Sequence, residues 1–300
     1  MIDWLISIEG SNLSNRLAIL LALLAAIFHA VFGSLQKGKH DPWTSRGAID
    51  LTYGLIAVPF VLFIVPRPEP HMWAILFVAL IIHSIYKLLQ AWAYSVGSYT
   101  VVYPIVRGST PLFTLIGAYF IFNEFFSMVQ FLGVFLLLSG IFGLAFYNFK
   151  LVVINKETLV PALLLAVITG FFVALYTNYD TIGIRSTYNP FTFIFWLFLL
   201  DSFLMPVVAY VRWCNADQKP KLEGLVKRGI VGGIISYLSF GSIMMATRLG
   251  EVGQVAVLRE TSTVFAAIIG VLFLNESMGL KRLAMILLIA LGAMCVGVRI

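Results

Sequence analysis

Ten apolar runs dominate the chain, at roughly 17–36, 47–65, 72–95, 99–122, 128–147, 159–180, 190–211, 229–247, 252–274 and 282–298. Each is about 18–25 residues long, enough for a helix to cross a hydrocarbon core of about 30 Å. Runs such as Phe131–Leu138 and Phe191–Leu200 are almost continuously apolar, Thr192 apart. They lack the alternation of a membrane β-barrel, whose strands show apolar and polar residues in turn. In lipid the backbone must satisfy its own hydrogen bonds, so such runs become helices. The pattern predicts an all-α integral membrane protein of ten transmembrane helices.

The segments between the runs are short and basic. Twelve Lys or Arg, with Arg46 counted among them, fall in the connections after the first, fifth, seventh and ninth runs, and five on the opposite side. By the positive-inside rule the twelve face the cytoplasm, which puts both termini outside. The composition agrees with a lipid environment: 60% of the 300 residues are hydrophobic and only 11% charged. A soluble domain carries about 25% charged residues. The net charge of +6 reads as membrane orientation, not as nucleic-acid binding. Residues 1–16 hold Asp3, Glu9 and a single Arg16, so no basic leader precedes the first run. Cys214 and Cys295 match no metal or redox spacing.

The chain repeats internally. Shifted by 152 residues, Arg107 falls on Arg259, Phe113 on Phe265, Ile116 on Ile268, Asn123-Glu124 on Asn275-Glu276, Leu136 on Leu288 and Gly140 on Gly292. No gap is needed. A weaker likeness joins Phe28-His29-Ala30 to Phe172-Val173-Ala174. Runs one to five therefore recur as six to ten. Five is odd, so the second copy is inverted, which is the architecture of many secondary transporters. The expected organisation is an N-terminal segment 1–16, a first repeat over 17–149 and a second over 159–300.

At these residues the chain resembles a known family. Tyr103-Pro104-Ile105-Val106-Arg107-Gly108-Ser109-Thr110-Pro111 and Leu258 to Ala267, each followed by Asn-Glu and then a glycine-containing helix, are similar to the EamA repeat of the drug/metabolite transporter superfamily. The likeness covers nearly the whole chain. It implies a bacterial inner-membrane exporter or importer with ten helices around a central cavity. It also implies that Glu124 and Glu276 are repeat hallmarks at the membrane edge and not substrate ligands.

Ionisable side chains inside a membrane cost at least about 2.5–3.5 kcal/mol each, so they mark cavities or ion pairs. Arg107 lies about a third of the way along the fourth run, with Tyr103, Pro104, Pro111 and Thr114 near its face. A guanidinium forks onto carboxylate or phosphate. Arg259 is its counterpart. Glu260 follows it about 100° away around the helix, so these two need not pair. Glu260 is a candidate proton carrier or a partner for Arg107 or Lys87. On the third run His83, Lys87, Gln90 and Tyr94 form one polar face, the expected wall of a cavity. His29 and Asp201 complete the coupling-proton candidates. Trp43, Trp73 and Trp213 read as interfacial anchors.

No metal cluster, His-Glu-x-x-His motif or phosphate-binding glycine loop is present, so no metal, cofactor or ATP motor is expected. The expectation is a non-enzymatic, gradient-driven transporter of a small polar, anionic or zwitterionic metabolite. Arg107, Arg259, Lys87, Gln90, Tyr94, His83 and Tyr103 would bind the substrate. Its partners would be that small molecule and the bilayer, with a homodimer compatible but not required. The alternatives are a membrane-embedded lipid-modifying enzyme, which would need clustered acids or a nucleophile dyad, and a lipid-interacting protein without solute transport.

Overall fold

The computed structural model describes residues 2–36, 41–97, 99–149, 156–216, 221–274 and 279–297. Asn275, Glu276 and the connecting Lys37, Lys39, Lys150 and Lys219 lie outside the described residues, as do the side chains of Gln36 and Tyr99. Among the described residues every regular element is helical: α1 (Ile2–Ile8), α2 (Asn12–Gln36), α3 (Pro42–Phe63), α4 (Pro70–Val96), α5 (Tyr99–Phe122), α6 (Met128–Phe149), α7 (Lys156–Arg185), α8 (Pro190–Asp201), α9 (Leu204–Cys214), α10 (Leu222–Ser236), α11 (Ser242–Leu249), α12 (Val252–Arg259), α13 (Ser262–Leu274) and α14 (Leu280–Gly297). A single π turn, Tyr237–Gly241, joins α10 to α11.

Nine stretches of the described residues are long and apolar enough to cross a membrane, with α8–α9, α10–α11 and α12–α13 each forming one. Leu283–Gly297 is apolar but shorter. Outward faces carry large exposed apolar side chains, Phe120, Phe135 and Phe146 among them. In water such surfaces would associate, and in lipid they are solvated. The inward face of α2 is different. Ala18, Ala22, Ala25, Ala26 and Ala30 are all fully buried, and this small-residue strip lets α2 pack closely on α10–α13.

The packing obeys the internal repeat. α5 lies on α7 as α12–α13 lies on α2, α4 on α7 as α10–α11 on α2, and α3 on α10 as α8 on α4. The pair α6–α14 is its own mirror image. A Cβ on Gly140 would meet Ile289 and the Met285 carbonyl, and one on Gly292 would meet Leu137 and the Gly133 carbonyl. The 152-residue shift carries Ile289 to Leu137 and Met285 to Gly133, so it maps the first contact onto the second.

Three expected continuous helices are interrupted. α8 ends at Asp201 and α9 starts at Leu204. Pro206 explains the break, because it has no N–H for the carbonyl of Ser202 and its ring crowds that carbonyl. The ninth run breaks between Arg259 and Ser262. There the Thr261 and Thr263 hydroxyls bond the carbonyls of Leu258 and Glu260, competing with the helical ladder. The third interruption is the π turn, which aims Ser239 at α2, where its hydroxyl bonds the Ala25 carbonyl at 3.2 Å.

The ends opposite the basic connections are tied by charge. Arg185 donates to the carbonyls of Thr247 and Gly250. Arg248 donates to those of Ile184 and Thr187 and pairs with Glu9 at 2.7 Å. Both arginines sit at helix C-termini, where a cation meets the negative end of the dipole. Glu124 does the converse at the N-terminus of α12. Its two oxygens accept from the amides of Val252 (2.7 Å) and Gly253 (2.9 Å). Burial pushes the Glu124 carboxyl up from its ordinary range, while these two bonds pull it back. Asn123 ends α5 in the left-handed conformation (φ 55°) that asparagine tolerates, turning Glu124 towards its target.

Candidate functional site

Two buried charge clusters occupy the interior, and both join the two repeats. In the first, α3 contributes Arg46, Asp50 and Tyr53 one turn apart along its buried face, α4 contributes His83 and Lys87, α7 Asp180, and the C-terminus of α8 Asp201. Lys87 is 1% exposed. Its ammonium lies 2.5 Å from Asp50 Oδ2, 2.6 Å from Asp201 Oδ2 and 2.5 Å from the Tyr53 hydroxyl, and it donates to the Asp201 carbonyl at 2.8 Å. The broken helix makes that carbonyl available. Arg46 Nε pairs with Asp50 Oδ1 at 2.8 Å. His83 Nε2 lies 2.8 Å from Asp180 Oδ2, and Nδ1 faces Asp201 Oδ2 at 3.8 Å.

In the second cluster Arg107 of α5 reaches both oxygens of Glu260, at 3.2 and 3.4 Å. Its guanidinium lies 5.2 Å over the Tyr103 ring. Arg259 Nε stands 3.5 Å from the same Glu260. Among the described residues Nε and Nη2 of Arg259 find no hydrogen-bond acceptor, although the side chain is 2% exposed. The repeat accounts for this shortage. Arg107 meets the residue that follows its own counterpart. The mirror contact would join Arg259 to position 108, which is a glycine.

Two hollows adjoin the clusters. One, with about 400 Å³ of atom-free space including its opening, is lined by His29 and Gly33 of α2, Tyr86, Gln90 and Tyr94 of α4, Tyr103 and Arg107 of α5, and Tyr176 of α7. Arg107 is eight residues in from the start of α5, about 12 Å deep. The second, of about 370 Å³, is bordered by Arg46, Tyr53, His83, Asp201, Ser236 and Phe240. Tyr86 lines both, and its ring contacts Tyr176 at 4.9 Å, so an aromatic partition divides them.

The EamA-like transporter family profile matches residues 16–146 and again 160–298, most of the chain. The chain belongs to this family. It is thus an integral membrane protein of a transporter family within the drug/metabolite superfamily, built of two EamA repeats. Among solved structures 27 chains match. One crystal structure aligns with a TM-score of 0.71 at 16% identity, covering 93% of this chain and 97% of that one, a likeness of fold. No curated protein matches.

Within this EamA-like transporter the expected site residues separate. Arg107, Gln90, Tyr94, Tyr103 and His29 do line one hollow, and His83 and Asp201 line the other. His29 also meets the Ser239 hydroxyl at 3.3 Å and packs against Phe32 and Phe240. Lys87 borders neither of these two hollows. It is the centre of an ion-pair network, because four acceptor atoms from three residues of α3 and α8 converge on its tip. Arg259 also borders neither hollow, being enclosed beside the break in its helix. Arg259 and Glu260, which the helical step did not require to pair, approach only loosely, with Nε 3.5 Å from Oε1 and no hydrogen bond between them. Glu260 reaches Arg107, one of the two partners considered for it. Arg46 is not a connecting-loop cation but a buried member of the first cluster. Asp50 and Asp180 proved central to that cluster, and their signal in the sequence was an acid four residues from an arginine or a tyrosine within an apolar run. α3 and α8 border the second hollow through Arg46, Tyr53, Leu197 and Asp201, whereas α12 and α13 border neither described hollow.

Proposed function

We propose that this protein is a ten-span secondary transporter in which the hollow above Arg107 receives the anionic group of a small metabolite. One observation carries the reading: two buried guanidiniums share a single carboxylate. A buried charge without a partner is costly. Among the described residues Arg107 and Arg259 against Glu260 leave one positive charge unmatched, and Arg107, the member of the cluster that reaches a hollow, stands at the floor of one with hydrogen-bonding walls. A carboxylate or phosphate entering between Tyr94, Gln90 and Tyr103 supplies the missing anion through a charge-assisted bond. The rings of Tyr94, Tyr103 and Tyr176 provide apolar surface with polar tips. The lining residues lie in the halves of α2, α4 and α5 nearest the basic connections, so the hollow is entered from that end. The positive-inside rule puts it at the cytoplasm of a bacterial inner membrane, with both termini outside. Alternating access follows by rocking of the repeats about the α6–α14 crossing, where the pseudo-twofold axis passes.

The test is a thermal-shift panel on purified protein. Small carboxylates, amino acids and phosphate esters are each paired with a neutral amide or alcohol. A ligand at about 100 times its dissociation constant stabilises by about 2.7 kcal/mol. Stabilisation by the charged member of a pair, lost in Arg107→Ala, is the expected result. Exchange of that solute across proteoliposomes then reports transport. Uptake in Arg107→Ala equal to wild type refutes a ligand role for the arginine.

A further inference from the structure

We propose that His83, held between Asp180 and Asp201, is the proton-carrying site of the transporter, and that loss of its proton opens the seam between the repeats around the second hollow. The proposal rests on the transport reading above for its purpose, but its geometry is independent of the substrate.

The argument begins with counting. Among the described residues the first cluster holds three carboxylates, Asp50, Asp180 and Asp201, and two basic side chains besides His83, the guanidinium of Arg46 and the ammonium of Lys87. All are buried or nearly so. One negative charge remains, and a buried unpaired carboxylate is among the costliest features a protein can hold. A single proton removes it. Histidine is the side chain suited to gain and lose a proton near neutrality. The geometry places that proton on His83. A neutral imidazole has one donor and one acceptor nitrogen. Here both ring nitrogens face carboxylate oxygens, at 2.8 and 3.8 Å. An acceptor nitrogen would meet an acceptor oxygen on one side. An imidazolium presents N–H to both.

The surroundings leave few competitors. Asp180 and Tyr176 face His83 from α7, Asp201 from α8, Lys87 and Tyr86 from its own helix, and Arg46, Asp50 and Tyr53 from α3. On the far side of the partition α5 brings Arg107 and Tyr103. The wall from α10–α11 is Ser236, Phe240 and Met244, none of which titrates near neutrality. Lys87 is enclosed by its acceptors, whereas His83 and Asp201 border the hollow and can exchange with water there.

The step is a simple transfer. The imidazolium N–H bond breaks, the proton leaves on a water molecule in the hollow, and the ring keeps the electron pair. What remains is one uncompensated carboxylate between α4 of the first repeat and α7–α8 of the second. Hydration of that seam relieves it, so deprotonation favours a state in which water reaches Ser236. A ligand or proton shifts such an equilibrium only by its differential affinity for the two states, and a buried charge supplies a large one.

Two measurements on the full chain in nanodiscs test this without a substrate. In ¹⁵N-histidine-labelled protein, with His83→Gln to assign the signal, both His83 ring nitrogens should carry protons near pH 7. Asp180→Asn rebalances the cluster, two anions against two cations, so its His83 should then carry one. A singly protonated ring in the unmodified chain, or an imidazolium unchanged in Asp180→Asn, overturns the site. For the opening, Ser236→Cys in a Cys295→Ser background is alkylated by a membrane-impermeant methanethiosulfonate. The exposed Cys214 serves as the internal reference for thiolate content. The rate ratio should rise on the order of tenfold or more between about pH 5.5 and 8.5, and be high and flat in His83→Gln. A ratio independent of pH while His83 is present overturns the opening. Failure of solute exchange in proteoliposomes would count against the transport reading and leave both of these results standing.

Discussion

Replacing Lys87 by methionine separates a structural cation from a substrate ligand. Methionine keeps the length and packing of the stem and removes the charge. In the native chain the ammonium satisfies Asp50 Oδ2, Asp201 Oδ2, the Asp201 carbonyl and the Tyr53 hydroxyl, all within 2.8 Å. After the exchange three carboxylates face only Arg46 and the His83 proton. Breaking a buried pair by removing one partner costs about 3–5 kcal/mol. At roughly 2–4 °C per kcal/mol for a chain of this order of size, the melting temperature in detergent should fall by about 6–20 °C. The double variant Lys87→Met/Asp201→Asn removes one charge of each sign and should recover more than half of that loss, a coupling that a double-mutant cycle reads directly. Were Lys87 instead a ligand in an aqueous chamber, the single variant would melt like the parent and lose only solute binding. That outcome, or simple additivity of the two changes, refutes the charge network as the reason for the lysine.

Glu124→Gln leaves one acceptor oxygen for two amides and turns an NH₂ donor towards a backbone N–H, so it should cost about 1–2 kcal/mol in a thermal melt while leaving ligand affinity intact. Gly292→Leu drives a side chain into the Gly133 carbonyl and the Leu137 amide at the α6–α14 crossing, and should destabilise by about 1–3 kcal/mol or more. Leu291→Ala, on the exposed face of the same helix, should melt within about 0.5 kcal/mol of the parent.

The helices were legible because bilayer thickness imposes one strong constraint on run length and polarity. The 152-residue repeat was legible because both copies carry a rare intramembrane arginine and an Asn-Glu pair. That pair proved informative in an unexpected way, since Glu124 caps α12 across the molecule. The breaks were readable in part: Pro206 and the Thr261-Ser262-Thr263 run are both helix disruptors, but each sits in a run apolar enough to be taken as continuous. The partners of Lys87 were not legible. A polar face on one helix says that something polar lies opposite, not whether it is water or Asp50 and Asp201 from α3 and α8, which stand 37 and 114 positions away. Periodicity reports a direction around one axis, and only packing reports what fills it.

The two clusters together constrain how a proton and a solute travel. Summed over both, Arg46, Lys87, Arg107 and Arg259 balance Asp50, Asp180, Asp201 and Glu260, so the interior is neutral when nothing is bound. The balance is local in neither place: the cluster at His83 lacks a cation and the one at Arg259 lacks an anion. Tyr86 and Tyr176 stand between them. With the proposed sites, a proton alone or an anion alone leaves the interior charged, which low-dielectric surroundings penalise. A proton at His83 and an anion at Arg107 together make each cluster neutral. Each load therefore lowers the cost of closing its own cluster, the proton at His83 and the anion at Arg107, and only the two together leave both clusters and the whole interior neutral. For a monoanion the pair crosses without net charge, so exchange by reconstituted protein should depend on the pH gradient and not on the membrane potential. Strong dependence on potential at constant pH on both sides would mean that the two clusters do not compensate each other.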